Sequence, residues 1–174
     1  MRHSIKPIFS ADEIAARVKV LGEEIRSAAG SSEVFLLGIL KGASFFTADL
    51  LRAIPGAASY GFIDVVRDPA DNQLALEIDF LSYVDIAGRN VYVLKDVVST
   101  GIIENYLLAQ LRAHNPASLY LVALIDRPAF RTVEVTCDFR AFEVAEGTFV
   151  GYGLELEGRN ANLPYIGTLG GALG

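Results

Sequence analysis

Apolar residues recur along this chain in two rhythms. In "FSADEIAARVKVLGEEIRSAAG", Ile14, Val18, Leu21 and Ile25 fall at three- and four-residue intervals, the repeat of one helix face. Ser10 and Glu13 have capping-box spacing at its start, and Gly30 is a natural stop. "EVFLLGIL" is an unbroken apolar run of strand length, which predicts a strand buried on both faces, as in a parallel sheet. "KGASFFTADLLRAI" predicts a short loop and a helix closed by Pro55-Gly56, and "ASYGFIDVV" a second strand. Residues 34–66 therefore read as one βαβ unit.

The stretch Arg67 to Gln73 reads as loop, and "LALEIDFLSY" as an edge or antiparallel strand. "NVYVLKD", "IIENYLLAQLRAH" (ended by Asn115-Pro116) and "SLYLVALID" give strand, helix and strand, a second βαβ unit. Beyond Arg127 the pattern shortens to "TVEVT", "FRAFEV" and "FVGYGLEL". The fold class expected is α/β: a doubly wound, mostly parallel sheet with helices on both faces. Residues 1–174 form one domain, with a small hood drawn mainly from about residues 127–169 and the N-terminus. The Gly-rich "GTLGGALG" is expected to be a loose tail.

The chain has 174 residues, 52% of them hydrophobic, with a mean hydropathy of +0.36. This is apolar enough to suggest surface buried between subunits. A net charge of −6 argues against a nucleic-acid surface, which needs clustered Lys and Arg. No apolar run reaches membrane-spanning length, and no basic segment followed by an apolar one suggests a signal peptide. Cys137 is alone, so neither an internal disulfide nor a cysteine zinc site is available. A reducing, cytoplasmic location is expected.

Ligands of open α/β sheets sit beyond the carboxyl ends of the strands. Two loops occupy that position here, one beginning at Lys41-Gly42 and one running from Asp96 to Gly101. In the second, Ser99, Thr100 and Gly101 lead into a helix whose N-terminal N–H groups favour an anion. An ordinary helix cap explains the same residues equally well when the loop is taken alone.

Together the segments resemble the hypoxanthine-guanine phosphoribosyltransferases, type I phosphoribosyltransferases. "LLGILKGASFFTADLLRAI" looks like their pyrophosphate loop, and "VYVLKDVVSTG" like their strand ending in paired acids and a phosphate loop. "LYLVALIDRP" and "FVGYGLELEGRNANLPYIGTL" are similar to their purine-reading strand and C-terminal signature. The resemblance runs from about residue 10 to 169. It implies transfer of phosphoribosyl from phosphoribosyl pyrophosphate to hypoxanthine or guanine, with magnesium, giving IMP or GMP in purine salvage. It also implies a homodimer or homotetramer.

Residue by residue, the resemblance places Lys41 and Gly42 in the pyrophosphate loop and Asp96 at the second ribose-holding acid. Thr100 and Gly101 fall in the 5′-phosphate cradle. Arg127 stands at the lysine that reads the purine 6-oxygen, with Val150 in the base-binding strand. Asp96 and Glu155 stand at the acids implied as magnesium ligands. The departures are numerous. Lys95 replaces the first paired acid, Ser99 the general-base aspartate and Ile103 a phosphate-binding threonine. Thr148 replaces the aromatic that stacks on the purine, with Phe149 one place later. Glu155 replaces an aspartate, and Ala161 an arginine that grips pyrophosphate. The flap "VVRDPADN" lacks its Ser-Tyr. Two readings follow: a transferase of weak or altered activity, or a non-catalytic relative that binds a nucleotide or pairs with an active relative as a regulatory subunit. Asp64, Asp68 and Asp126 are candidates to supply the missing carboxylate.

Overall fold

The computed structural model describes residues 4–67, 76–79 and 84–170. An N-terminal strand, β1 (Ile5–Phe9), leads directly into the expected capping box. Ser10 Oγ accepts the Glu13 N–H, and Glu13 Oε2 accepts the Ser10 N–H at 2.8 Å. The helix it opens, α1 (Ala11–Ala29), buries Ile14, Val18, Leu21 and Ile25, the positions its periodicity singles out. β2 (Val34–Ile39) is buried at every residue, as a central parallel strand covered on both faces must be. α2 (Ser44–Ala53) follows and packs against α1 so closely that a Cβ at Gly22 would lie 2.6 Å from the Ala53 carbonyl oxygen.

β3 (Ala58–Arg67) runs parallel to β2, and β4 (Leu76–Asp79) pairs antiparallel with β3 at the sheet edge. Across the chain's midpoint come β5 (Asn90–Val98), α3 (Ile102–Arg112), β6 (Ser118–Asp126) and β7 (Phe139–Glu143). The sheet order is β4-β3-β2-β5-β6-β7, five parallel strands with one antiparallel edge. The doubly wound α/β expectation is met. α1 and α2 share one apolar core with Leu36, Tyr92, Leu94 and Leu124, while Leu107 and Leu111 of α3 share another with Val91, Val93 and Leu121. Each fully buried leucine of this kind is worth about 1.5–3 kcal/mol.

The hood is smaller than expected and composed differently. It is a three-stranded antiparallel sheet in which β1 pairs with β9 (Ile166–Leu169), and β9 with β8 (Phe149–Val150). "FRAFEV" instead supplies β7 to the main sheet, where Arg17 of α1 ties its edge by donating to the Arg140 and Ala141 carbonyls at 2.7 and 3.0 Å. "TVEVT" forms no strand, because the Thr132 and Val133 N–H groups are spent on the Thr100 carbonyl. "FVGYGLEL" stops being a strand at Val150, where Gly151, Tyr152 and Gly153 take φ values of +93°, +51° and +91° and turn the chain. The expected 67–73 loop lies outside the described residues apart from Arg67, which ends β3, and so do residues 171–174 of the Gly-rich tail. The first part of that tail is not loose, since Gly167, Thr168 and Leu169 belong to β9 and pair with β1.

Candidate active site

Three segments meet at the carboxyl ends of β2 and β5. The loop after β2 is short: Leu40 N–H donates to the Ile63 carbonyl, the Leu40–Lys41 peptide is cis, and Ser44 Oγ donates to the Lys41 carbonyl. Gly42 is where this loop touches β5. A Cβ at Gly42 would lie 1.9 Å from Asp96 Oδ2, so no other residue permits the contact as built. The hood reaches the same point, since a Cβ at Gly153 would lie 2.9 Å from the Gly42 carbonyl oxygen. The three segments enclose a cleft of about 280 Å³, lined by Lys41, Gly42, Asp96, Val97, Phe149 and Glu155 among others.

Two ion pairs dominate its charge. Lys95 Nζ donates to Asp96 Oδ1, which also accepts the Val97 N–H at 2.8 Å. Across the cleft, Lys41 Nζ donates to Glu155 Oε1 at 2.8 Å. The hydrogen bond donated to Glu155 raises the Lys41 pKa, so the ammonium stays charged throughout the neutral range. Asp64 is half-buried on β3 and adds to the field on Lys41. Asp96 and Glu155, the expected magnesium ligands, are each held by an ammonium. Among the described residues no three His, Cys, Asp or Glu side chains group as a metal site. The donor set does not fit a hard divalent cation, which needs several open oxygens.

The second loop leaves β5 two residues later than its sequence suggests, because Val97 and Val98 still pair with Ile125 and Asp126. Gly101, at φ +82°, is the N-cap of α3, and its carbonyl accepts the Asn105 N–H at 2.9 Å. Thr100 is exposed, and its Oγ1 lies 3.5 Å from the Ile102 nitrogen, too long to satisfy that donor strongly. Ser99 and Ile103 are half-buried. Residue 99 thus carries a hydroxyl, which is no base near neutral pH, and residue 103 a hydrocarbon with no donor for an anion. Ser99, Thr100 and Gly101 lie just past the cleft lining rather than in it.

Arg131, which no sequence pattern marks, holds this loop. Its Nη1 donates to the Val98 and Ser99 carbonyls at 3.0 and 2.6 Å, and its Nη2 pairs with Asp126. Asp126 is 1% exposed and also accepts from Arg140 at 3.2 Å, so it is committed and supplies no carboxylate to the cleft. Glu104, in the first turn of α3, is buried as well. Burial raises its pKa, opposed by its own backbone N–H and by Lys95 and Arg131. Asp68 and most of the flap lie outside the described residues.

At the base end, Arg127 lies over the Phe130 ring at 3.9 Å and 5.6 Å from the Phe149 ring centre. Its Nη2 donates to the Ala145 carbonyl at 3.3 Å, but its Nε is buried without a partner. Phe149 and Val150 are buried, and Thr148 is exposed. Successive strand residues face opposite ways, so only one of 148 and 149 can present a ring to the cleft, and it is Phe149. The hood is fastened from below by Tyr152, whose hydroxyl donates to Asp49 at 2.6 Å. Burial first and this bond second raise the Tyr152 pKa. Ala161 reaches the site through its backbone, accepting the Gly153 N–H at 3.0 Å. Its methyl cannot grip an anion.

Known proteins share this fold. A model of the phosphoribosyl transferase domain family matches residues 4–156. The hypoxanthine-guanine phosphoribosyltransferase of Bacillus subtilis is 34% identical over 172 residues, covering 97% of this chain and 96% of the relative. That of Mycobacterium avium is 34% identical over 93% of this chain and 84% of its own. A crystal structure of a hypoxanthine-guanine phosphoribosyltransferase from Bacillus anthracis superimposes with a TM-score of 0.87 at 27% identity, covering 98% of this chain and all of that one. With the family's fold, its loops in their order and relatives of this similarity along nearly the whole length, the chain belongs to the hypoxanthine-guanine phosphoribosyltransferases.

Proposed function

We propose that this protein binds a 6-oxopurine or its nucleoside monophosphate, together with phosphoribosyl pyrophosphate. It forms IMP or GMP at a rate far below that of an ordinary member of the family. The observation that carries the reading is the Lys95–Asp96 pair beside Ser99: ligand-holding parts of the site are present, and its carboxylate chemistry is not. Lys41 and the N-terminus of α3 offer donors to the ligand's phosphates. The Arg127 guanidinium, 5.6 Å from the Phe149 ring centre, offers donors to the purine 6-oxygen, and Phe149 offers a ring face.

Proton removal from the incoming base is the weak step. A serine hydroxyl with no basic partner does not accept a proton near neutral pH, and loss of a general base costs roughly 10²- to 10⁴-fold. Lys95 puts a positive charge where the ribose develops positive charge in the transition state, a second penalty of electrostatic kind. The two losses do not simply multiply, since such groups act together.

The same two positions favour a second reading, in which the protein holds nucleotide without turnover and acts beside an active homologue. Assays with hypoxanthine or guanine, set beside the Bacillus subtilis relative, decide between them. Weak turnover that rises in a Lys95→Glu, Ser99→Asp double variant supports the transferase, and silence in both forms supports the non-catalytic reading. Robust turnover by the unmodified chain refutes both.

A further inference from the structure

We infer that Lys41 and Lys95 take the place of a divalent cation in this cleft, so that a phosphorylated ligand binds here without magnesium. The inference rests on the proposed function above, because it concerns how that same cleft receives its ligand.

The argument starts from what the two carboxylates have left to offer. Asp96 Oδ1 already accepts the Lys95 ammonium and the Val97 N–H, while Oδ2 is pressed against the Gly42 backbone. Glu155 Oε1 accepts the Lys41 ammonium at 2.8 Å. A magnesium ion needs near-octahedral oxygen at roughly 2.0–2.1 Å and usually one or two open carboxylates. Here the nearest lobes are filled by groups of the same sign as the ion. A cation entering the cleft would therefore have to displace an ammonium and then stand beside it.

An anion meets the opposite situation. Lys41 is mostly exposed, with its side chain 77% accessible, and has three N–H donors. One serves Glu155, and the others can serve phosphate oxygens of a ligand entering from solvent. Lys95 is more enclosed, its side chain 19% accessible, and its pairing with Asp96 offsets the charge of that carboxylate. Lys41 thus lines the cleft, and Lys95 stands behind its Asp96 wall, each lysine paired with a carboxylate of the lining. This is a cation pair built from side chains.

The test is titration calorimetry of the full chain with GMP and with phosphoribosyl pyrophosphate, each in EDTA and in magnesium chloride. The expected result is dissociation constants that agree within about twofold between the two buffers for GMP, and no tightening by magnesium for phosphoribosyl pyrophosphate. Magnesium chloride alone should give no binding heat. Lys95→Glu should bind phosphoribosyl pyrophosphate more weakly in EDTA and regain about tenfold or more with magnesium. Lys41→Gln, at an exposed position that folding tolerates, should weaken binding in both buffers without rescue by the metal. Tightening of about tenfold or more by magnesium in the unmodified chain would overturn this inference and leave the proposed function standing. Absence of binding in both buffers would overturn the two together.

Discussion

Gly101→Ala probes the loop through its shape alone, since glycine carries no chemistry to lose. Two costs are readable from the geometry. Residue 101 has φ +82°, where an L side chain is disfavoured by about 1–2 kcal/mol. The added Cβ would also lie 2.6 Å from the Val133 carbonyl oxygen and 2.8 Å from Val135 Cγ1. Backbone oxygen cannot swing aside as a side-chain tip can, and overpacking of this kind costs about 1–3 kcal/mol. The sum is roughly 2–5 kcal/mol, delivered at the joint between the phosphate loop and the 131–135 segment. Gly88→Ala is the matched control: its φ is +68°, but nothing lies within 4 Å of a Cβ there, so only the conformational share applies. Urea unfolding of both variants, with the slope checked for constancy, should place Gly101→Ala well below Gly88→Ala. GMP affinity should fall in the first and not in the second. Equal midpoints for the two would show that the 131–135 segment does not bear on the loop, and the reasoning would fail.

Glu104→Gln should stabilise the fold in a pH-dependent way. Burial raises the Glu104 pKa above its ordinary 4.5, so the unfolded chain ionises first as pH rises and the native state is progressively disfavoured. Below that ordinary value both states are protonated and the variant should match the parent. The gap should open as pH climbs past it, and urea midpoints that stay equal at neutral pH would contradict this. Cys137, half-buried and with its thiol pushed up to about 12 chiefly by desolvation, should react slowly with disulfide-exchange reagents in the native state at pH 8 and faster in urea. Rapid native labelling would mean the strand edge around it opens readily.

The main sheet was legible because periodicity reports burial, and burial is what a central strand or an amphipathic helix is made of. β2 reads as continuously apolar and is buried throughout; α1 reads at helical spacing and buries those positions. The hood was less legible, because its turns rest on positive φ at Gly151, Tyr152 and Gly153 rather than on pattern. A tyrosine in the left-handed region has no signature in sequence. "FRAFEV" went to the wrong sheet for a related reason: five residues alternate alike in either place, and it is the carbonyl contacts from Arg17 that fix which edge they join. In the cleft, residue identities were readable but partnerships were not. That Lys95 turns onto its own neighbour Asp96, and Lys41 onto Glu155 more than a hundred residues away, is a matter of rotamer and tertiary contact.

Arg131 explains how the second loop keeps its form without relying on its own side chains. Were the loop held by its own side chains, every change of residue within it would put its carbonyls and its shape at risk. Instead the Val98 and Ser99 carbonyls are held by a guanidinium from the next crossover, which Asp126 anchors from the buried end of β6. The Thr100 carbonyl is held by the N–H groups of Thr132 and Val133. Gly101 supplies the turn, and no side chain of the loop is asked to cap α3. The support comes from outside and from backbone, so substitutions within the loop change what it can do without changing where it lies. Backbone N–H groups at a helix N-terminus recognise phosphate by that position alone, whereas abstraction of a proton needs a particular side chain. Under the function proposed above, a site divided in this way loses turnover before it loses its ligand.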